Sequence, residues 1–288
     1  MMAEAATAPT KPLPGMGDHS EVRRPWRRSG CRLLQRTFGA AVLVLGLAAS
    51  AASGDDFRIE SKVFAGKAEK PLSQSTTLFR AGRVYDYLEE PVSIAVFDKP
   101  HERFILLDPA RSIKTEITTA ELLAFTARLQ AWAETQKKGL LAFAAKPVFE
   151  TKFDDKTGLL TLDSEHLKYE LDTVKANTDR AAQQYREFSD WYIRLNAMTH
   201  PGSTPPFPRM VVNDELSKRI RVAEKVKLTI AGRSQLVGRE AALRSEHQIL
   251  WRLLQKDLKQ IAETGQQLAS FKTVGYAEFR EGGTLARR

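Results

Sequence analysis

The sequence holds a single cysteine, Cys31, and it lies before the one long apolar run instead of just after it. That placement excludes a disulfide anywhere downstream and excludes a lipid-anchoring cysteine of the lipoprotein type. A glycine-rich phosphate loop, a G-x-S-x-G elbow, an H-E-x-x-H helix and a cysteine pair are all absent, so the common enzyme signatures are missing. There is also no strong charge of one sign. Of the net +9, the first 53 residues carry seven Lys or Arg against three Asp or Glu, which leaves 37 against 32 in the remainder. An excess of five with interspersed signs is an ordinary protein surface, not a nucleic-acid footprint.

What the N-terminus does have is order. A basic patch (Arg23, Arg24, Arg27, Arg28, Arg32, Arg36) precedes an apolar run from Phe38 to Ala52, and a small-residue stretch closes it at Ala48-Ala49-Ser50-Ala51-Ala52-Ser53-Gly54. This is the pattern of a secretory signal peptide. The run is too short for the roughly 20 apolar residues that span a bilayer. Residues 1–53 are therefore expected to be a leader with a long basic n-region, cut after Ala51 or Ser53, and a start at Met16 would give it a more ordinary length. The product, residues 54–288, is expected to be one exported α+β domain, periplasmic or otherwise extracytoplasmic and soluble, held by its core without disulfide staples.

Period-2 alternation predicts strands at Phe57–Phe64 and Thr77–Leu88, the second folded into a hairpin at Ala81-Gly82. Further strands are expected at Val92–Phe97, Arg103–Leu107 and Ser112–Ile117. Thr118-Thr119-Ala120-Glu121 has the capping-box form, and Leu122, Phe125, Leu129 and Trp132 follow it at helical spacing, so a helix runs from there to near Gly139. A three-strand meander follows at Val148–Phe153, Leu159–Leu162 and His166–Leu171. Asn177-Thr178-Asp179 caps a second helix with Tyr185, Phe188, Trp191, Tyr192, Leu195 and Met198 on its apolar face, ended by His200-Pro201-Gly202. Residues Pro201 to Pro208, with four prolines, are expected to be an irregular loop. Strands at Lys225–Ile230 and Ala241–Trp251, across a turn with Gly232 and Gly238, precede a last helix bearing Leu254, Leu258, Ile261, Leu268 and Phe271. Strands in runs, with helices that do not alternate with them, indicate α+β: a curved antiparallel sheet covered on one face by helices, plus a long C-terminal helix.

The strings Tyr85-Asp86-Tyr87, Ser93-Ile94-Ala95-Val96-Phe97-Asp98, Arg103-Phe104-Ile105-Leu106-Leu107-Asp108-Pro109 and Thr115-Glu116-Ile117 resemble the periplasmic lipoprotein-carrier (Lol-type) superfamily over roughly Phe57 to Leu171. The same segment is similar to uncharacterised exported proteins of planctomycete-type bacteria. The resemblance implies a half-barrel closed by helices around an apolar cavity for a lipid or acyl group. It carries over no functional residue.

For chemistry, the candidates are few. His101-Glu102, Glu165-His166 and Glu246-His247 place a carboxylate beside an imidazole, but strand neighbours point to opposite faces, so polar pairing is preferred to a metal or catalytic site. Asp108-Pro109 with Arg111 and Asp154-Asp155 stand in turns, where aspartate bonds the local backbone. Ser189 and His200 are eleven residues apart on or just after one helix, about 16 Å, beyond hydrogen-bond reach. Trp132, Tyr185, Phe188, Trp191 and Tyr192 are candidates to line a cavity. No cofactor or metal is expected. The expected function is a non-enzymatic exported envelope protein binding a lipid or acyl chain; the alternative is an envelope structural or interaction protein with a filled core, its partner another envelope protein. An enzyme ranks third.

Overall fold

The computed structural model describes residues 55–231 and 241–281, all within one compact unit. The leader, Cys31 and the glycines at 232 and 238 lie outside the described residues. Twelve strands form one open, curved, mostly antiparallel sheet: β1 (Phe57–Ala65), β2 (Ser73–Arg80), β3 (Arg83–Leu88), β4 (Ser93–Asp98), β5 (Arg103–Asp108), β6 (Ile113–Thr118), β7 (Glu150–Asp154), β8 (Leu159–Asp163), β9 (Leu167–Lys175), β10 (Arg221–Ile230), β11 (Ala241–Leu250) and β12 (Lys272–Thr273). Their order is β12-β6-β5-β4-β3-β2-β1-β11-β10-β9-β8-β7. Six α-helices accompany them among the described residues: α1 (Thr119–Glu134), α2 (Leu140–Ala145), α3 (Asp179–Thr199), α4 (Phe207–Lys218), α5 (Gln255–Ser270) and α6 (Tyr276–Glu281). The α+β class expected from the strand runs is the class observed.

Local chemistry sets the element ends. Ala81 and Gly82 both take positive φ, 48° and 77°, the two-residue turn whose twist matches antiparallel strands. At α1 the Thr118 side chain accepts from the Glu121 backbone N–H at 3.1 Å, while the Glu121 carboxylate accepts from the Thr118 N–H at 2.7 Å. Thr178 caps α3 in the same way, accepting from the Ala181 N–H at 3.0 Å. The proline-rich connection is shorter than expected. It ends at Pro206, and Phe207 and Pro208 open α4 instead of extending the loop. Pro208 sits in the first turn, where a missing N–H leaves no intrahelical bond unmade.

Because side chains alternate across a strand, register sorts them into rows on each face. One row runs Phe57, Phe79, Val84, Phe97, Phe104, Ile117 over β1 to β6. It belongs to the larger core, against which α1, α3 and α4 pack. The other face carries Leu78, Tyr85, Val96 and Ile105 in one row and Tyr87, Ile94 and Leu107 in the next. The long C-terminal helix α5 covers that second face with Ile261 and Leu268, flanked by Leu253 and Phe271. The sheet is thus sandwiched, with α1 to α4 on the inner face and α5 alone on the outer.

Two polar contacts pin α5 there. Arg58 Nη1 donates to Asp257 Oδ1 at 2.8 Å, both side chains buried, and the other carboxylate oxygen accepts the Leu254 N–H at 2.6 Å. Asp257 therefore caps α5 and pairs with β1 at once. Tyr87 Oη and Thr264 Oγ1 meet at 2.9 Å farther along. Arg58 also pairs with the partly exposed Glu60, so losing Asp257 leaves the buried guanidinium with one weaker, solvated partner and α5 without its cap. Asp257→Ala is expected to lower stability by about 3 kcal/mol in urea unfolding, whereas the exposed pair Lys259–Glu263 should be silent when broken by Glu263→Gln.

Candidate functional site

Helix α3 lies across the inner face and fills much of its hollow. Phe188 packs edge-on to Phe79, ring centroids 5.6 Å apart, and within 6.5 Å of Phe97, which is itself stacked on Phe104 at 4.8 Å. One turn on, Tyr192 donates from its hydroxyl to Asp86 Oδ2 at 2.8 Å, while Thr77 Oγ1 donates to Asp86 Oδ1 at 2.7 Å. The buried carboxylate is thus held by one hydroxyl from the sheet and one from the helix.

Between α3 and strands β1 to β3 a cleft of about 270 Å³ remains. Its apolar wall is Ile59, Val63, Phe79 and Leu88 from the sheet and Tyr185, Phe188, Tyr192 and Ile193 from α3. A pocket of about 50 Å³ shares Asp86, Leu88, Tyr192 and Asn196 with it and continues between Ala95, Leu106, Leu195 and Phe279. On the other flank of α3 a second cleft, about 370 Å³, opens between Phe79, Val84, Phe97 and Gln184, with the Lys99–Glu187 ion pair (2.6 Å) among its lining residues.

The inner face is graded along the strands. Beside the aromatic row comes a mixed one, Ile59, Thr77, Asp86, Ala95, Leu106, and beside that a largely polar one, His247, Ser61, Ser75, Leu88, Ser93. His247 is bracketed by hydroxyls, with Ser61 Oγ 2.9 Å from Nδ1 and Ser245 Oγ 2.9 Å from Nε2. A neutral imidazole offers one donor and one acceptor, so either tautomer satisfies both serines. Burial pushes its pKa down to about 4, and the positive charge of Arg209 adds to the effect.

Of the five aromatic candidates, α3 brings four to the inner face. Tyr185, Phe188 and Tyr192 line the cleft against the sheet, and Trp191 lines a groove on the far flank, its ring under the Arg194 guanidinium at 5.2 Å. Trp132 stands on α1, 50% exposed, and lines none of these clefts. His166 lies in the turn before β9 against Phe143, ring centroids 5.5 Å apart. His247 pairs near the level of Asp172, six residues along β9, which sets the two histidines roughly 20 Å apart. Among the described residues no group of three or more His, Cys, Asp or Glu is placed to hold a metal. Asp108 accepts from the Arg111 backbone N–H and Nε, and Asp154 from the Lys156 N–H and the Thr157 hydroxyl, so both serve their turns. Ser189 lines the cleft, and the Nδ1 of His200 bonds Thr199.

Sequence reasoning missed Asp86, Arg209 and the serines of β1 and β2 as part of the site. One signal was present: β1 is polar at both Glu60 and Ser61, so its alternation lapses where the cleft forms.

No protein-family model matches this chain, and no curated protein matches it. Among solved structures, a LolA superfamily protein from Nitrosomonas europaea is similar at 8% identity, over 72% of this chain and 90% of that one, with a TM-score of 0.26. No described helix is long and apolar enough to cross a membrane.

The lowered His247 pKa has a direct consequence. Below its ordinary value of 6.5 the unfolded chain takes up a proton that the folded one refuses until about pH 4, so this group subtracts stability as pH falls through that window. His247→Gln is expected to flatten the stability loss between pH 6.5 and pH 4 in urea titrations, and the His247 ring signals should stay neutral at pH 5 by NMR.

Proposed function

We propose that the protein is a non-enzymatic, exported envelope protein that binds a lipid or acyl group in the cleft between the curved sheet and α3. The observation that carries this reading is the cleft itself, apolar along Phe79, Leu88, Tyr185, Phe188 and Ile193 and polar at one end. With the adjoining pocket it reaches the lower edge of the roughly 300–1,000 Å³ usual for small-molecule sites. That bounds the occupant to a single chain or a small amphiphile. The resemblance of β3 to β6 to the lipoprotein-carrier superfamily points the same way, as does the leader-like N-terminus, which also supports a periplasmic or extracytoplasmic location.

The second reading is an envelope interaction protein with a filled core, and the packing of Phe188 into Phe79 and Phe97 favours it. Native mass spectrometry of the protein purified from its own envelope separates the two. Extra mass that disappears on denaturation and proves to be an acyl compound is the expected result. A bare mass that stays bare after incubation with lipid would discard the cleft reading in favour of a protein partner sought by crosslinking.

A further inference from the structure

Arg209 stands in the first turns of α4 and lines the cleft, together with Ser61, Ser75, Asn196 and His247. Among the described residues its guanidinium makes no hydrogen bond and no ion pair. The carboxylate that feels its charge, Asp190, accepts from Asn213 Nδ2 at 2.8 Å and lies 3.7 Å from Arg186. The carboxylate in the cleft wall, Asp86, is held by Thr77 and Tyr192. A guanidinium is always charged and presents five N–H donors in a fixed fork, and here that fork lines the cleft without being tied to a carboxylate among the described residues.

The strand surface at the same end of the cleft suits an anion. Ser61 and Ser75 are direct cross-strand partners, and Ser73 lies two residues farther along β2, so hydroxyls stand side by side at the end of the inner face away from the aromatic row. A guanidinium fork and hydroxyls that line one cleft can share a carboxylate or phosphate through charge-assisted hydrogen bonds. His247, uncharged at neutral pH, adds polarity without a second full charge.

We infer that Arg209, Ser61 and Ser75 form an anion site for the carboxylate or phosphate head of a single-chain amphiphile, whose tail lies toward the aromatic row at Phe79 and Phe188. The inference rests on the acyl-binding reading for the tail, but the head site stands on its own residues. The chemistry shared by a fatty acid, a phosphate-headed lipid and a free oxoanion is one anionic oxygen cluster on the guanidinium fork.

Calorimetric titration of the full chain with laurate, dodecyl phosphate, 1-dodecanol and inorganic phosphate tests it, in the wild type and in Arg209→Gln and Arg209→Lys. Laurate or dodecyl phosphate is expected to bind at least about tenfold more tightly than dodecanol, the scale of a charge-assisted pair. Arg209→Gln should erase that preference by weakening laurate and dodecyl phosphate far more than dodecanol, in a variant whose cooperative thermal melt shows it folded, and Arg209→Lys should keep part of it. Equal affinity for laurate and dodecanol, or a preference that survives Arg209→Gln, overturns the anion site and leaves the apolar cleft standing. Arg209-dependent binding of inorganic phosphate with no gain from a tail supports the anion site and removes the acyl reading. Binding of none of the four probes removes both.

Discussion

The ladder register between β1 and β6 is the constraint on which the rest of the molecule depends. Phe57, Phe79, Val84, Phe97, Phe104 and Ile117 fall level with one another, and a slip of one residue in any strand would carry its member of the row to the opposite face. The aromatic row gives α3 its seat through Phe188, and the seat in turn brings Tyr192 to Asp86 and leaves the cleft beside the serines. The interleaved residues are as strictly placed. Leu78, Tyr85 and Val96 reach the outer face, where α5 needs them.

Two faces with two separate cores explain why the sheet tolerates a polar patch. Inside, Ser61 and Ser75 forgo apolar burial, while on the other side of the same strands Arg58 is neutralised by Asp257 and Leu78 is fully buried. Burying a polar group costs free energy unless it is hydrogen-bonded, and here the hydroxyls bond His247 or face the cleft.

Much of this was legible because it is local. The Ala81-Gly82 hairpin, the Thr118–Glu121 capping box and the Thr178 cap are short-range chemistry, and the α3 aromatics declare their common face by spacing alone. Helix α4 was not legible, since Pro205, Pro206 and Pro208 read as a break although Pro208 occupies the first turn. Nor was the placement of α5 on the outer face, because an apolar stripe says that a helix is covered but not by which side of a sheet. Trp132 shared the α1 periodicity and yet is half exposed, and Arg209 gains its meaning only when α4 docks over β10 and the cleft. Those facts belong to tertiary packing, which residue spacing along one element does not encode.

The strand order carries a kinetic consequence. Strands β1 to β6 form one meander and β7 to β11 another, each joined by neighbours in sequence, and the two halves meet only where β1 pairs with β11. The first meander can zip up from nearby contacts and the second must bridge α3 and α4 between β9 and β10, but the seam between the two closes a loop of nearly the whole described chain, and closing such loops is what slows folding. The seam is therefore the late event, and the Arg58–Asp257 contact, spanning 199 positions, can form only as it closes. Until then both β1 and β11 are open edges beside an uncovered apolar face, the state in which this chain would be most exposed to mispairing with another copy of itself.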